Sequence, residues 1–69
     1  MFGERLKLLR KERKVQQKEL AELLGLSIRG YQFYESEVNE PSIKMLIILA
    51  DFYHVSIDYL VGRSDQRGE

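Results

Sequence analysis

The stretch SIRGYQFYE, Ser27 to Glu35, combines side chains whose chemistry suits the edges of base pairs. Read as a helix opened by Ser27, it turns Ile28, Arg29, Gln32 and Phe33 outward, with Gly30 beside them. An arginine fork fits the paired acceptors of guanine, and a glutamine amide can pair with adenine. Two apolar groups could meet thymine methyls, although Ile28 and Phe33 also suit a core or a protein contact. Tyr31 and Tyr34 are expected to point back into the domain.

Such a helix needs a support that fixes its angle. QKELAELLGLS precedes it, and Gln17 to Leu24 reads as a helix with Leu20, Leu23 and Leu24 on one face. Ala21 is small where a second helix must cross closely. Gly25, four residues on, tolerates the left-handed geometry of a tight turn, and Leu26 plugs that turn. This spacing is that of a helix-turn-helix, whose second helix enters the major groove of double-stranded DNA by its N-terminal end. Upstream, Phe2, Leu6, Leu9 and Arg13 recur at helical spacing, which predicts a helix from Phe2 to about Lys14. Downstream, SEVNEP holds the only proline and reads as a loop. Ser42 then caps a helix from Ile43 to about Tyr53, and Ser56 caps a short one from Ile57 to Val61 or Gly62. The expectation is an all-α, five-helix domain over residues 1–62, followed by a polar tail, residues 63–69, that frays.

Composition narrows the function classes. A chain of 69 residues makes one domain and, with no cysteine, has neither disulfides nor thiolate metal sites. Its N-terminus lacks the apolar run of a signal peptide, and Met45 to Ala50 is far too short to span a bilayer. The expected setting is the cytoplasm, with no membrane contact. Net charge is zero, yet Met1 to Tyr34 holds eight Lys/Arg against four acids, and Glu35 to Glu69 reverses the balance with three against seven. Such asymmetry hints at a nucleic-acid-facing half, or at a solvated first helix. His54, with Asp51 and Asp58 nearby, makes a weak metal constellation, and a turn residue is the better account of it. No catalytic arrangement stands out, so no enzyme, metal, cofactor or small-molecule ligand is expected. The fourth helix is anomalous. Ile43, Leu46, Ile47 and Ala50 form one face while Met45, Ile48 and Phe52 form another, so it is either central or meets another chain.

Four blocks in order, FGERLKLLRKERKV, QKELAELLGLS, YE and EPSIKMLIILADFYHVSIDYLVG, resemble the lambda-repressor-like helix-turn-helix proteins. That family includes phage repressors, Cro proteins and small bacterial regulators of the xenobiotic-response-element type. The resemblance covers about Phe2 to Gly62. It implies a five-helix domain that binds operator DNA, usually as a symmetric homodimer on a near-palindrome, here acting as a repressor. It gives Gln17 a phosphate contact that also braces the recognition helix. Ser27, Ile28 and Arg29 fall at the head of that helix, Gln32 and Phe33 further along the groove, and Lys44 on a backbone phosphate. Arg10 and Glu35 match a partly buried ion pair. Pairing of two copies is expected through helix 5 and the second side of helix 4, with Met45, Ile48, Phe52, Tyr53, Val55, Ile57 and Tyr59 as candidates. Departures from the family pattern are Gln16 for a capping Thr or Ser, Lys14 and His54 for glycines, Tyr31 for Val or Ile, and an acidic SEVNEP loop. The alternative is an antitoxin or other protein-interaction module on the same fold.

Overall fold

A computed structural model describes residues 1–68. It places α1 at Phe2–Glu12, α2 at Gln17–Leu24, α3 at Ile28–Glu35, α4 at Ile43–Tyr53 and α5 at Ile57–Leu60, with no strand among the described residues. Three helix starts use the same device. The hydroxyls of Ser27, Ser42 and Ser56 accept the backbone N–H groups of Gly30, Met45 and Tyr59 at 3.0, 3.1 and 3.0 Å. Each such cap stabilises by ~1 kcal/mol. Gln16, before α2, makes no side-chain cap bond, so α2 depends more on packing.

The core is built from every helix. Leu6 and Leu9 of α1, Leu20 of α2, Tyr31 of α3, Leu49 and Tyr53 of α4 and Leu60 of α5 are all fully buried. Helix α1 is two residues shorter than its pattern suggests, ending at Glu12 with Arg13 as cap. In α2, Leu23 does not share the buried face: it is 41% exposed, while Leu20 and Ala21 are buried.

Helix α4 is both central and half exposed. Met45, Leu49, Ala50 and Tyr53 face the core, whereas Ile43 and Ile47 are 75% and 47% exposed. The two expected faces are therefore split: Met45 turns inward and Ile43 and Ile47 outward, while Ala50 lies inside and Phe52 outside. Four candidates for pairing fall: Met45, Tyr53, Val55 and Tyr59 are buried in the chain's own core and have no surface to offer a partner. Phe52 and Ile57 remain exposed and Ile48 half-buried.

Residues 63–68 are tied to the domain and not frayed, while Glu69 lies outside the described residues. Arg67 donates both terminal guanidinium nitrogens to the Glu12 carboxylate at 2.7 Å, and its carbonyl accepts the Ser56 N–H at 2.7 Å. Arg5 donates to the carbonyls of Tyr59 and Ser64 and to Asp65. The Tyr59 ring carries the Arg5 guanidinium at 4.1 Å and that of Arg67 at 5.2 Å. Residues 63–68 therefore strap α5 to α1.

Lys14 and His54, both at φ 56°, close α1 and α4 in the left-handed region. A side chain there costs ~1 kcal/mol or more. Glycine removes that strain but adds unfolded-chain entropy of ~0.4–1 kcal/mol. His54→Gly is expected to raise stability by a net ~0.5 kcal/mol, read as a higher midpoint in urea; a lower midpoint would mean that the imidazole makes a stabilising contact.

Candidate nucleic-acid interface

The angle between α2 and α3 is set by a three-residue turn. Gly25 adopts φ 72°, ψ 30°, and the Leu26 N–H donates back to the Ala21 carbonyl at 2.8 Å. This is the helix-ending geometry for which glycine is favoured. Ala21 is buried beneath it, and α2 and α3 pack directly on one another. On the other side α3 meets α1 backbone to backbone. A Cβ placed on Gly3 would overlap the Glu35 carbonyl oxygen, so the crossing requires glycine.

Glu35, at the last position of α3, is the one buried charged residue among the described residues. Arg10 of α1 donates from Nε to its Oε2 at 2.7 Å and from Nη2 to its Oε1 at 3.3 Å. The Tyr31 hydroxyl donates to Oε2 at 2.6 Å, and Gln17 Nε2 of α2 donates to Oε1 at 3.2 Å. Gln17 in turn accepts from Gln32 Nε2 at 2.9 Å. Three helices are thereby tied through one carboxylate. Burial alone would raise its pKa, but the hydrogen bonds from Arg10 and Tyr31, the Arg10 charge and the Gln17 bond outweigh it and hold Glu35 below the usual carboxylate range. Burial, with the bond to Glu35, pushes the Tyr31 phenol well above its ordinary value.

Above this network lies the outward side of α3. Ser27, Ile28, Arg29, Gln32 and Phe33 are all exposed. The Arg29 guanidinium lies 5.9 Å from the Phe33 ring centroid, a contact that their spacing of four along a helix could have disclosed. Gln17 is half-buried and joined to this face through Gln32. Lys44 stands apart on the first turn of α4, exposed, where it lines a cleft with Leu24, Leu26 and Tyr34. The resemblance implies that Gln17 braces α3, and the structure identifies Glu35 and Gln32 as the partners through which it does so.

The basic first half is less free than its count suggests. Arg5 and Arg10 are engaged as described, and Arg13 donates to the Tyr53 carbonyl at 3.0 Å. The acidic loop is likewise structural: Glu37 accepts the N-terminal ammonium at 2.6 Å and the Gly3 N–H at 3.0 Å, closing the start of α1. Among the described residues no group of three His, Cys, Asp or Glu could hold a metal ion, and no helix is long and apolar enough to cross a membrane. His54 is a turn residue.

Comparison with known proteins places this geometry in context. A family model described as helix-turn-helix matches residues 6–60. An uncharacterized HTH-type transcriptional regulator of Bacillus subtilis (strain 168), YobD, is 42% identical over 65 residues, which cover 94% of this chain and 58% of that protein. The cryptic phage CTXphi transcriptional repressor RstR of Vibrio cholerae is 38% identical over 60 residues, 87% of this chain and 54% of its own. A crystal structure of a transcriptional regulator from Listeria innocua superposes with a TM-score of 0.86 at 42% identity, covering 90% of this chain and 58% of that one. The chain spans little more than half the length of the curated relatives it matches.

The Glu35 network has a pH signature. A carboxyl whose folded pKa is depressed adds stability above its unfolded value of ~4.3 and loses it as pH falls through the folded pKa. Glu35→Gln leaves Arg10 without its counter-charge and is expected to cost ~3 kcal/mol at neutral pH. In urea titrations at successive pH values, the gap from the unsubstituted chain should narrow below about pH 4. A gap independent of pH would show that Glu35 acts by shape and not by charge.

Proposed function

The chain belongs to the helix-turn-helix family, and on that premise we propose that it is a sequence-specific DNA-binding transcriptional regulator, a repressor that occupies a near-palindromic operator as a homodimer. The observation that carries this reading is the state of Arg29. Its side chain sits exposed at the head of α3, its guanidinium 5.9 Å from the Phe33 ring centroid, with no hydrogen-bond acceptor engaged among the described residues. A guanidinium without a partner in the domain keeps its fork free, as bidentate contact with guanine requires.

In this reading Arg29 and Gln32 contact base edges, while Ile28 and Phe33 meet thymine methyls. Ser27 lies at the head of α3, close to the backbone. Gln17 touches phosphate while bracing Gln32, and Lys44 contributes a second phosphate contact from α4. The unit that binds is residues 1–62 with the strap through Arg67. Two copies present their α3 helices about one helical turn apart, ~34 Å, on one face of the duplex. Partners are double-stranded DNA and a second copy, in the cytoplasm, and no enzymatic step is invoked. A protein-interaction role has one observation in its favour: Ile28 and Phe33, 44% and 38% exposed, make the outward face of α3 unusually apolar.

Two measurements test the reading. Arg29→Ala should weaken binding to a selected site by ~1–3 kcal/mol and relax preference at one base position; equal loss on every sequence would assign Arg29 to phosphate alone. Affinity should also fall with salt, each neutralised phosphate adding ~0.9 to the log–log slope. If random-pool selection enriches no site and affinity is flat from low to physiological salt, the protein-interaction role takes its place.

A further inference from the structure

Helix α4 has six residues outside its core-facing side: Ile43, Lys44, Ile47, Ile48, Asp51 and Phe52, all exposed except the half-buried Ile48. These positions are simply one face of a helix; what periodicity does not require is the placing of residue types on them, apolar at both ends and at the centre, with a base and an acid equally far to either side. Each of Ile43 and Phe52, Lys44 and Asp51, Ile47 and Ile48 lies equally far from the point between residues 47 and 48. Lys44 and Asp51 are one heptad apart, so they share a face to within ~20° and stand ~10.5 Å apart along the axis. Ile43 and Ile47 flank that line on one side, Ile48 and Phe52 on the other. Neither Lys44 nor Asp51 has an ion-pair partner among the described residues.

We infer that this face of α4 pairs with the same face of a second copy, antiparallel, across a two-fold axis at Ile47 and Ile48. The inference rests on the homodimer reading above and specifies its surface. In a two-fold interface, residue i meets j and j meets i. Antiparallel packing sets Lys44 of each copy opposite Asp51 of the other, twice, with the isoleucines of both copies meeting at the axis. Parallel packing would set Lys44 against Lys44 and Asp51 against Asp51. Like charges opposed in this way reject that arrangement, so the charges choose direction and register while the apolar flanks supply the attraction. The pairing also explains why a small chain leaves Ile43 and Ile47 uncovered. It draws Lys44 to Asp51 of the second copy, in competition with the phosphate contact.

Charge exchange tests the arrangement. Sedimentation equilibrium of the whole chain, without DNA, is compared for the unsubstituted protein, Lys44→Glu, Asp51→Lys and the double variant. Both sites are exposed, and circular dichroism melts confirm folding of each. Each single variant opposes like charges and is expected to weaken the dimer at least ~10-fold. The double variant restores opposite charges and should return to within ~3-fold of the unsubstituted chain. A dimer unmoved by the single variants, or not recovered in the double, overturns this interface while leaving a homodimer through another surface. A monomer at every concentration up to the millimolar range removes both. DNA affinity supplies a second arm: a phosphate contact at Lys44 is not recovered by Asp51→Lys, whereas a contact across the dimer is.

Discussion

The buried carboxylate of Glu35 is the constraint on which the outward face of α3 depends. A charge removed from water is tolerated only where donors replace its hydration, and here the donors come from three helices: Arg10 of α1, Gln17 of α2 and Tyr31 of α3 itself. Each donor must therefore stay within hydrogen-bond reach, which fixes how α3 sits on the other two. The effect passes outward through Gln17, whose amide oxygen holds Gln32. A polar group buried at the foot of α3 thus sets the rotamer of a residue on its exposed side. Gly3 belongs to the same constraint, since any larger residue would push α1 away from the Glu35 carbonyl and lengthen the Arg10 contact.

A second layer of order surrounds Tyr59. Its ring packs between two guanidinium groups, Arg5 of α1 and Arg67 of the C-terminal segment, while Arg67 is itself held by Glu12. Helix α5 is only four residues long, too short to hold itself by its own hydrogen bonds. Its position comes from the Ser56 cap, from Leu60 in the core and from this stack. One cost remains in the core: the Tyr53 hydroxyl is buried with no hydrogen-bond partner among the described residues. Burial, offset in part by Arg10, pushes its pKa up to about 12.

What the sequence discloses is local, and what it hides is long-range. The serine caps, Gly25 and the α2–α3 spacing are short-range devices, so all five helices and the helix-turn-helix could be read within a residue or two. The left-handed closures at Lys14 and His54 fall where the resemblance to the family pattern implies glycine. The phase of α4 was not legible, because a helix apolar nearly all round offers no polar stripe to mark its outer side. Met45 and Tyr53 of this helix therefore lie inside and not at a pairing surface, as do Val55 of the turn after it and Tyr59 of α5. The tail misled for a related reason: RSDQRGE is polar enough to suggest solvent, but its partners, Arg5, Glu12 and Ser56, lie up to sixty residues away. The resemblance implies that Gln17 braces α3, but its partners in the Glu35–Gln17–Gln32 relay were hidden in the same way, since residue types announce hydrogen-bonding capacity and not the partner that takes it up.

The division of labour between arginine and lysine bears on which cations can recognise a partner. Arg5, Arg10, Arg13 and Arg67 each make hydrogen bonds within the domain. Lys7, Lys11, Lys14, Lys18 and Lys44 are all exposed to solvent. A guanidinium is planar, weakly hydrated and able to donate in parallel, so it suits built contacts, whereas an ammonium is a mobile, strongly hydrated point charge. The chain has spent its arginines accordingly. Arg29 and Arg63 depart from that pattern, and of the two Arg29 lies at the head of α3, its guanidinium 5.9 Å from the Phe33 ring centroid and without a hydrogen-bond partner among the described residues. The basic first half is therefore better understood as two systems than as one patch. Most of its arginines hold the fold, its lysines supply a diffuse positive field, and one arginine keeps a fork free where α3 faces outward. A free fork is a group able to read a base edge, whereas a diffuse positive field carries no sequence information.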